Sequence, residues 1–113
     1  MLRLRSSKDM ERVRREGKSY AHPLTVLVAC PQPQPAAPRV GVVAGRSVGG
    51  AVQRNRAKRL LREAIHAQAG NVKAGWDLIL IARAPLATVK LAQAQAAVNQ
   101  LLHRAHVLST SAQ

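Results

Sequence analysis

The chain has 113 residues, of which 47% are hydrophobic, and 18 Lys+Arg against 5 Asp+Glu give it a formal net charge of +13. This length and composition support one small domain with a buried core, which excludes a two-domain protein and an intrinsically disordered chain. Such an excess of positive charge, carried mostly by Arg, predicts a densely anionic partner and is typical of proteins that bind nucleic acid.

The first predicted elements are a short helix and a strand. Ser6 or Ser7 can cap the start of the helix, with Asp9 three residues after Ser6, and Gly17 is placed to end it. The run 24–30 that follows is apolar and rich in β-branched residues. This composition predicts a strand.

A proline-rich segment, residues 31–38, separates this strand from a second predicted strand at 39–44. Its four prolines can continue neither a helix nor a central strand. The segment is therefore predicted to be a stiff, exposed connection. A proline-rich ligand for a partner domain is the alternative interpretation.

The second half of the chain alternates helix and strand. A predicted turn at 45–50 precedes a predicted helix at 51–68. After a second break at 70–75, a strand is predicted at 76–82 and a C-terminal helical region at 88–108. Pro85 stops the strand, and Thr88 can cap the last helix, which has apolar residues at three- and four-residue spacing. The small, polar tail at 109–113 is expected to fray.

The predicted order is therefore α-β-β-α-β-α, in a single domain over 1–113. A helix between two strands indicates a βαβ unit. The predicted fold class is α/β (α+β), a two-layer sandwich with a central sheet of about four strands.

The helix over 51–68 divides into an apolar and a basic face at 100° per residue. The apolar face, expected to pack on the sheet, consists of Ala57, Leu60, Leu61, Ala64, Ile65 and Ala67. The basic face consists of Asn55, Arg56, Lys58, Arg59, Arg62 and His66, and Arg54 lies near the apolar side with a stem long enough to reach solvent. Only Glu63 relieves the repulsion between like charges three and four residues apart. A solvated helix face is the alternative, but this pattern favours binding of a polyanion.

The turn before this helix supports the same prediction. Gly49 and Gly50 let the backbone approach a ligand closely. The first free N–H groups of the helix can bind an anion there, beside Arg46. The turn lacks the spacing of a nucleotide-binding P-loop.

No catalytic or metal-binding cluster is visible in the sequence. The acids are Asp9, Glu11, Glu16, Glu63 and Asp77, and they do not assemble the convergent carboxylates of a two-metal nuclease. The chain has no Phe, one Tyr and one Trp, which disfavours RNA-binding modules that stack bases on aromatic rings. The lone Cys30 predicts a reduced core thiol, and because we find no membrane span or secretory signal we expect a cytoplasmic protein. The residues alone therefore predict a protein that binds a ligand and carries no catalytic site of its own.

One segment carries a specific pattern. Its residues are Arg46, Gly49, Ala51, Val52, Arg54, Asn55, Lys58 and Arg59. The pattern resembles the signature of the protein subunit of bacterial ribonuclease P. The likeness extends over nearly the whole chain, to residues 3–5, Asp9, Gly17-Lys18, Arg39-Val40-Gly41 and the segment 77–85.

This resemblance implies a function. Proteins of the family bind a large catalytic RNA, and the complex is an endoribonuclease that removes the 5′ leader of precursor tRNA. The resemblance implies that the RNA carries the chemistry and the Mg²⁺, that the protein has no catalytic residue and no metal site, and that one protein binds each RNA. It also implies a left-handed βαβ crossover, against the usual rule. The alternatives are a ribosomal-type structural RNA-binding protein, a DNA-binding architectural protein and a self-contained protein nuclease.

The resemblance also implies two sets of site residues. Those expected to face the catalytic RNA are Arg46, Gly49, Arg54, Asn55, Arg56, Lys58, Arg59 and Arg62. Those expected in a cleft for the single-stranded leader, between the first helix and the sheet, are Arg3, Arg5, Lys8, Met10, Arg14 and Val28. The family usually has aromatic residues where this chain has Met10, Arg14 and Val28, so a planar, charged contact from Arg14 is expected instead.

Overall fold

The computed structural model describes residues 1–109, which form three helices and five strands. The helices are α1 (Ser7–Glu16), α2 (Ala51–His66) and α3 (Leu91–Arg104), and the strands are β1 (Leu2–Arg3), β2 (Lys18–Ala21), β3 (Thr25–Pro31), β4 (Arg39–Val43) and β5 (Trp76–Ala82). Short 3-10 turns occupy Arg46–Val48, Ala69–Asn71 and Ala84–Thr88. The six predicted helices and strands are all present. None of these helices is long and apolar enough to cross a membrane.

The strands form one mixed sheet in the order β1-β4-β5-β3-β2. β4 runs parallel to both β1 and β5, whereas β3 runs antiparallel to β5 and β2. Because β4 and β5 are parallel neighbours joined through α2, the predicted βαβ unit is confirmed. The hand of this crossover stays a prediction.

The sequence pattern does not predict the two edge strands, and the sheet therefore has five strands where about four were expected. β1 is two residues long, which is too short to show an alternation of apolar and polar residues. β2 reads Lys-Ser-Tyr-Ala, and three of its four residues are exposed. Edge strands of this kind are specified by backbone pairing with a neighbour, which composition does not reveal.

The side chains of the strands alternate between two cores on opposite faces of the sheet. The larger core lies under α2 and α3 and includes the fully buried Leu27, Leu61 and Leu80. The smaller core lies under α1 and includes Val13 and Cys30. The predicted α/β (α+β) class and the buried thiol of Cys30, which forms no disulfide, are thus confirmed. Helices cover both faces of the sheet, so the fold has three layers where a two-layer sandwich was predicted.

The proline-rich connection is anchored at one point. Residues 33–37 are exposed, as predicted, but Gln32 is 8% exposed and does not belong to an exposed connection. Its Nε2 donates to the Ala37 carbonyl at 2.9 Å and to Asp77 Oδ1 at 3.0 Å, and its Oε1 accepts from the Ala36 N–H at 2.7 Å. Pro31, predicted as part of the connection, is instead the last residue of the central strand β3, where it is paired with Trp76. The buried Gln32 amide holds the turn that follows.

Both predicted ends of α1 are confirmed. The Ser6 side chain accepts a hydrogen bond from the Asp9 N–H at 3.4 Å, and Gly17 donates its N–H to the Val13 carbonyl at 2.8 Å. Gly17 has φ −77°, so its backbone would suit any residue. It is needed for space, because an added Cβ would lie 2.5 Å from the Val13 oxygen and 2.8 Å from Cγ1 of Val28.

Three predictions in the second half of the chain need correction. Thr88 does not cap α3, which begins after Lys90; the Thr88 hydroxyl instead donates to the Pro85 carbonyl at 3.0 Å. α2 ends at His66, so Ala67 is exposed and does not pack on the sheet. In the tail, Ser109 donates its N–H to the Asn71 carbonyl at 2.6 Å, and positions 110–113 lie outside the described residues.

Replacing Gly17 with Ala is expected to destabilise the fold by about 1–3 kcal/mol, because the added methyl group overpacks the contact between α1 and β3. Chemical denaturation would measure the change in the free energy of unfolding. Gly70→Ala is the matched control, since nothing lies within 4 Å of an added Cβ there. Equal stability of the two variants would contradict the explanation.

Candidate RNA-binding surfaces

The turn before α2 leaves the start of that helix without a side-chain cap. Gly50 stands at the N-cap position and no side chain bonds the first N–H groups. Gly49 has φ +134°, and an added Cβ would lie 2.9 Å from Cβ of Gln53, so this position requires glycine on both counts. Arg46 is exposed in the 3-10 turn next to it. The predicted placement of Arg46 and Gly49 beside the helix start is confirmed.

The outer face of α2 is basic, as predicted. Asn55, Arg59, Arg62 and His66 are exposed, and Lys58 is half-buried. Glu63 is exposed among them. Ala57, Leu60, Leu61, Ala64 and Ile65 are the buried residues of the helix. The helix therefore presents a polar face to solvent on which positive charges outnumber the single acid.

Arg54 lies at the boundary between these faces. It is half-buried, and its Nε is buried without a hydrogen-bond partner among the described residues. This position agrees with the prediction that the residue lies near the apolar side of the helix. Its stem contributes to packing, so a substitution there would alter both charge and core contacts.

Arg56 differs from its basic neighbours. Its Nε donates to the Ala87 carbonyl and its Nη2 to the Val89 carbonyl, each at 2.8 Å. The guanidinium thus ties the turn between β5 and α3 to α2. The sequence analysis missed this structural role of Arg56. A helical projection shows which face of the helix a residue occupies, but it does not show which loop packs against that face.

Replacing Arg56 with Ala is expected to lower the free energy of unfolding by about 1–3 kcal/mol, because two carbonyl groups lose a charged donor. Arg59→Ala is the matched control on the same helix, since Arg59 is exposed. That variant should stay within about 0.5 kcal/mol of the unmodified protein. Thermal and urea denaturation of both variants would measure the difference, and an Arg56 variant as stable as the control would contradict a structural role.

A second surface lies on the opposite face of the sheet, beside α1. Val26, Ile81 and Val43 are paired across three adjacent strands, Val26 with Ile81 and Ile81 with Val43. All three are only partly buried, although they pack against the smaller core. They form an open apolar row that α1 leaves partly exposed. The sequence did not reveal this row, because an apolar strand pattern does not show how much of each side chain a neighbouring helix covers.

The residues predicted for the leader cleft do not all lie on this surface. Lys8 and Arg14 are exposed on α1. Met10 is half-buried, and its Sδ would lie 2.9 Å from a Cβ added to Gly41, so it packs closely against β4. Val28 is 3% exposed and belongs to the core beneath α1, so it supports the helix and does not present a surface. Arg3, on the edge strand β1, and Arg5, which follows it, are both exposed. Arg3 lines a cavity together with Arg62 and His66 of α2.

A buried carboxylate fixes α1 to the sheet. Asp77 is fully buried and accepts hydrogen bonds from Arg12 Nη2, from Arg39 Nη2 at 2.7 Å and from Arg39 Nε at 2.9 Å. Gln32 donates to the same carboxylate, so one residue of β5 joins α1, β4 and the proline-rich connection. Arg39 also reaches Asp9 Oδ2 at 3.3 Å.

The electrostatics of this cluster favour the charged forms. Burial raises the pKa of Asp77, but hydrogen bonds from Arg39, Gln32 and Arg12 outweigh it and leave the pKa below its ordinary value. The hydrogen bond to Asp77 raises the pKa of Arg39 above its ordinary value. Burial lowers the pKa of Arg12, but the hydrogen bond to Asp77 and the attraction of its charge outweigh burial and leave that pKa raised. Burial also raises the pKa of the Cys30 thiol. At neutral pH the cluster therefore contains a charged Asp77 carboxylate, charged Arg12 and Arg39 guanidinium groups and a neutral Cys30 thiol. This arrangement is structural.

The acidic side chains are not arranged for metal binding. Within residues 1–109, no group of three or more His, Cys, Asp or Glu side chains could hold a metal ion. Asp77, the most buried acid, is occupied by two arginines. The described part of the chain therefore offers basic and apolar surfaces for a ligand, and no cluster of acids.

Comparisons with known proteins match nearly all of the chain. A family profile described as "Ribonuclease P" matches residues 1–106. The "Ribonuclease P protein component" of Dehalococcoides mccartyi is 43% identical over 107 residues, which cover 95% of this chain and 87% of that protein. The protein of the same description from Herpetosiphon aurantiacus is 43% identical over 105 residues, covering 93% of this chain and 85% of the relative.

Solved structures give the same answer for the fold. The Staphylococcus aureus RNase P protein superposes with a TM-score of 0.85 at 28% identity, covering 96% of this chain and 99% of that one. The RNase P protein from Thermotoga maritima superposes with a TM-score of 0.79 at 29% identity, covering 92% and 97%. Both surfaces described above lie within the matched range.

Proposed function

The chain belongs to the ribonuclease P protein family, and we propose that its two surfaces hold two different RNAs of that enzyme. As a protein subunit of ribonuclease P it is part of an endoribonuclease of tRNA processing, and the comparisons support this function over the alternative of a ribosomal-type structural RNA-binding protein.

The basic face of α2 binds the catalytic RNA. The observation that carries this assignment is one helix face on which Arg59 and Arg62 are exposed and Lys58 is half-buried, with Glu63 as the single exposed acid among them. Arg59 and Arg62 contact phosphates, and Asn55 adds a neutral donor and acceptor. The uncapped N–H groups of α2, beside Arg46, add an anion site at the start of the helix. Arg56 is left out of this surface because its guanidinium is engaged with the Ala87 and Val89 carbonyls.

The open apolar row beside α1 holds the single-stranded 5′ leader of precursor tRNA. Val26, Ile81 and Val43 provide its floor, and Lys8 and Arg14 provide charge along the helix. A strand without base pairs exposes both its bases and its phosphates, so an apolar floor flanked by cations suits it. Arg14 offers a planar contact for a base where an aromatic residue is absent.

The chemistry belongs to the RNA, and one protein binds each RNA. No cluster of acids in the described residues suits the Mg²⁺ that stabilises the attacking and leaving oxygens in phosphodiester hydrolysis, so these ions are held by the RNA and the substrate. The protein contributes positive charge and position. It therefore lowers the Mg²⁺ concentration that the RNA requires.

The experiment that tests this function is cleavage of a precursor tRNA by a bacterial ribonuclease P RNA at low Mg²⁺, with and without the protein. We expect the protein to switch on cleavage at the mature 5′ end. Protein without RNA is the control and should be inactive. Binding of the RNA without any effect on cleavage would overturn the proposal, and cleavage by the protein alone would show that the chemistry is not borne by the RNA.

A further inference from the structure

A groove at the edge of the sheet carries three arginines that the sequence divides between two sites. Arg3, Arg5 and Arg62 line it together with Leu4, Met10, Val40, Gly41 and Val42. Sequence analysis predicted Arg62 for the catalytic RNA and the other two for the leader. The structure places all three along one depression.

The position of Arg3 follows from the strand register. Arg3 is paired with Val40, and paired residues direct their side chains to the same face of a sheet. Val40 packs against the core under α2 and α3, and Arg3 shares a second cavity with Arg62, Glu63 and His66 of α2. Arg3 is therefore on the α2 side of the sheet, whereas the open apolar row is on the α1 side.

The groove continues a row of cations along α2. Arg54, Lys58 and Arg62 are spaced four residues apart, so they lie on one side of the helix, about 6 Å from one to the next along its axis. Arg62 is the last of them and faces the groove. The row thus extends from the start of α2 to β1.

The groove is open and unneutralised. Its lining contains no acid, and within residues 1–109 none of its three arginines makes a side-chain hydrogen bond or ion pair. β1 covers only the beginning of β4: the last bond between them runs from the Leu4 N–H to the Val40 carbonyl at 2.9 Å. Past that point the edge of β4 has no neighbouring strand, so a ligand can approach it.

We propose that Arg3 and Arg5, together with Arg62, extend the α2 surface and bind phosphates of the catalytic RNA, not the leader. The inference rests on the proposed function and refines it by reassigning two residues. Charge complementarity selects a polyanion, and continuity with Arg54 and Lys58 selects the RNA that α2 binds. The groove also reaches Met10 of α1 and Leu4 of the smaller core, but none of Val26, Val43 and Ile81 lines it, so the leader held on that open apolar row does not need these arginines.

The test compares two triple variants with the same loss of charge. Arg3→Ala/Arg5→Ala/Arg62→Ala removes the groove, while Arg15→Ala/Lys73→Ala/Lys90→Ala removes three cations outside both proposed surfaces. Affinity for ribonuclease P RNA alone, without substrate, is measured at several salt concentrations. The groove variant should bind at least about tenfold more weakly and reduce the salt slope by about two to three units, against less than about one for the control.

A second measurement separates the two RNAs. With the RNA saturated by protein, the affinity for precursor tRNA is divided by the affinity for mature tRNA, which lacks the leader. This ratio should stay unchanged in the groove variant and fall in Arg14→Ala. Circular dichroism and thermal melting of both triple variants establish that they are folded.

Two outcomes would overturn the inference: a groove variant that loses the ratio while binding ribonuclease P RNA normally, or two triple variants with equal slopes. Failure of the unmodified protein to bind ribonuclease P RNA would instead reject the proposed function. Restoration of binding by the Arg→Lys version of the groove variant would support a contact made through charge.

Discussion

The affinity of this chain for the catalytic RNA is expected to fall roughly a thousandfold between about 50 and 200 mM salt, as for a protein that neutralises about six phosphates. Six cations are available for these contacts: Lys58, Arg59 and Arg62 on α2, Arg46 in the turn before it, and Arg3 and Arg5 in the edge groove. Binding releases condensed counterions from the RNA, and added salt opposes this release. The steepness of the dependence therefore counts the contacts.

Filter binding or fluorescence titration over this range of salt would give the slope. Lys58→Ala/Arg59→Ala should reduce it by about two units with an unchanged circular dichroism spectrum, because neither side chain makes a described hydrogen bond or ion pair. Arg54 is unsuitable for this comparison, since its Nε is buried. An affinity that hardly changes with salt would contradict phosphate contacts as the basis of binding.

Replacing Asp77 with Asn is expected to destabilise the protein by about 3 kcal/mol, at the lower end of the cost of breaking a buried ion pair because both arginines keep some exposure to solvent. Both carboxylate oxygens accept from arginine: Oδ1 from Arg39 Nε, and Oδ2 from Arg39 Nη2 and Arg12 Nη2. Whichever way the Asn amide is turned, its NH₂ group therefore faces a donor. The substitution preserves shape and removes only the charge and half of the acceptor capacity.

Urea denaturation of Asp77→Asn beside Asp9→Asn would measure the effect. Asp9 is the matched control because it contacts the same two arginines from a partly exposed position, at 3.3 Å from Arg39 and 3.7 Å from Arg12. Its substitution should cost less than about 1 kcal/mol. Similar losses in the two variants would show that the buried carboxylate is not the centre of the cluster.

The same carboxylate predicts the response to acid. Its pKa is lower in the folded protein than its ordinary value of about 3.9, so the charged form stabilises the fold at neutral pH and this stabilisation is lost as the pH falls through the folded pKa. The difference in unfolding free energy between the unmodified protein and Asp77→Asn should therefore be constant above about pH 5 and shrink below about pH 4. A difference that stays constant into strong acid would contradict the lowered pKa.

Local patterns in the sequence predicted most elements and the main ligand. Apolar runs containing β-branched residues identified β3, β4 and β5, and the 3.6-residue period identified both faces of α2, except that Ala67 lies past the end of the helix. These predictions succeeded because a strand covered on both faces is apolar along its length, whereas a helix that packs on one side only repeats its apolar residues with a period of 3.6. The excess charge and the basic face of α2 predicted a polyanion, because like charges on one face repel each other without an anion. RNA as that polyanion was implied by the family resemblance carried by the segment from Arg46 to Arg59.

Contacts between distant segments settled what the patterns left open. Arg56 reaches the carbonyls of Ala87 and Val89, Gln32 is buried against Asp77, and Arg3 is placed beside α2 through its pairing with Val40. No period in the sequence encodes these contacts, because each joins residues more than thirty positions apart and depends on which strands become neighbours. Charge and periodicity thus specified the helices, the central strands and a polyanionic ligand, whereas the order of strands in the sheet determined which arginines hold the protein together and which are left for RNA.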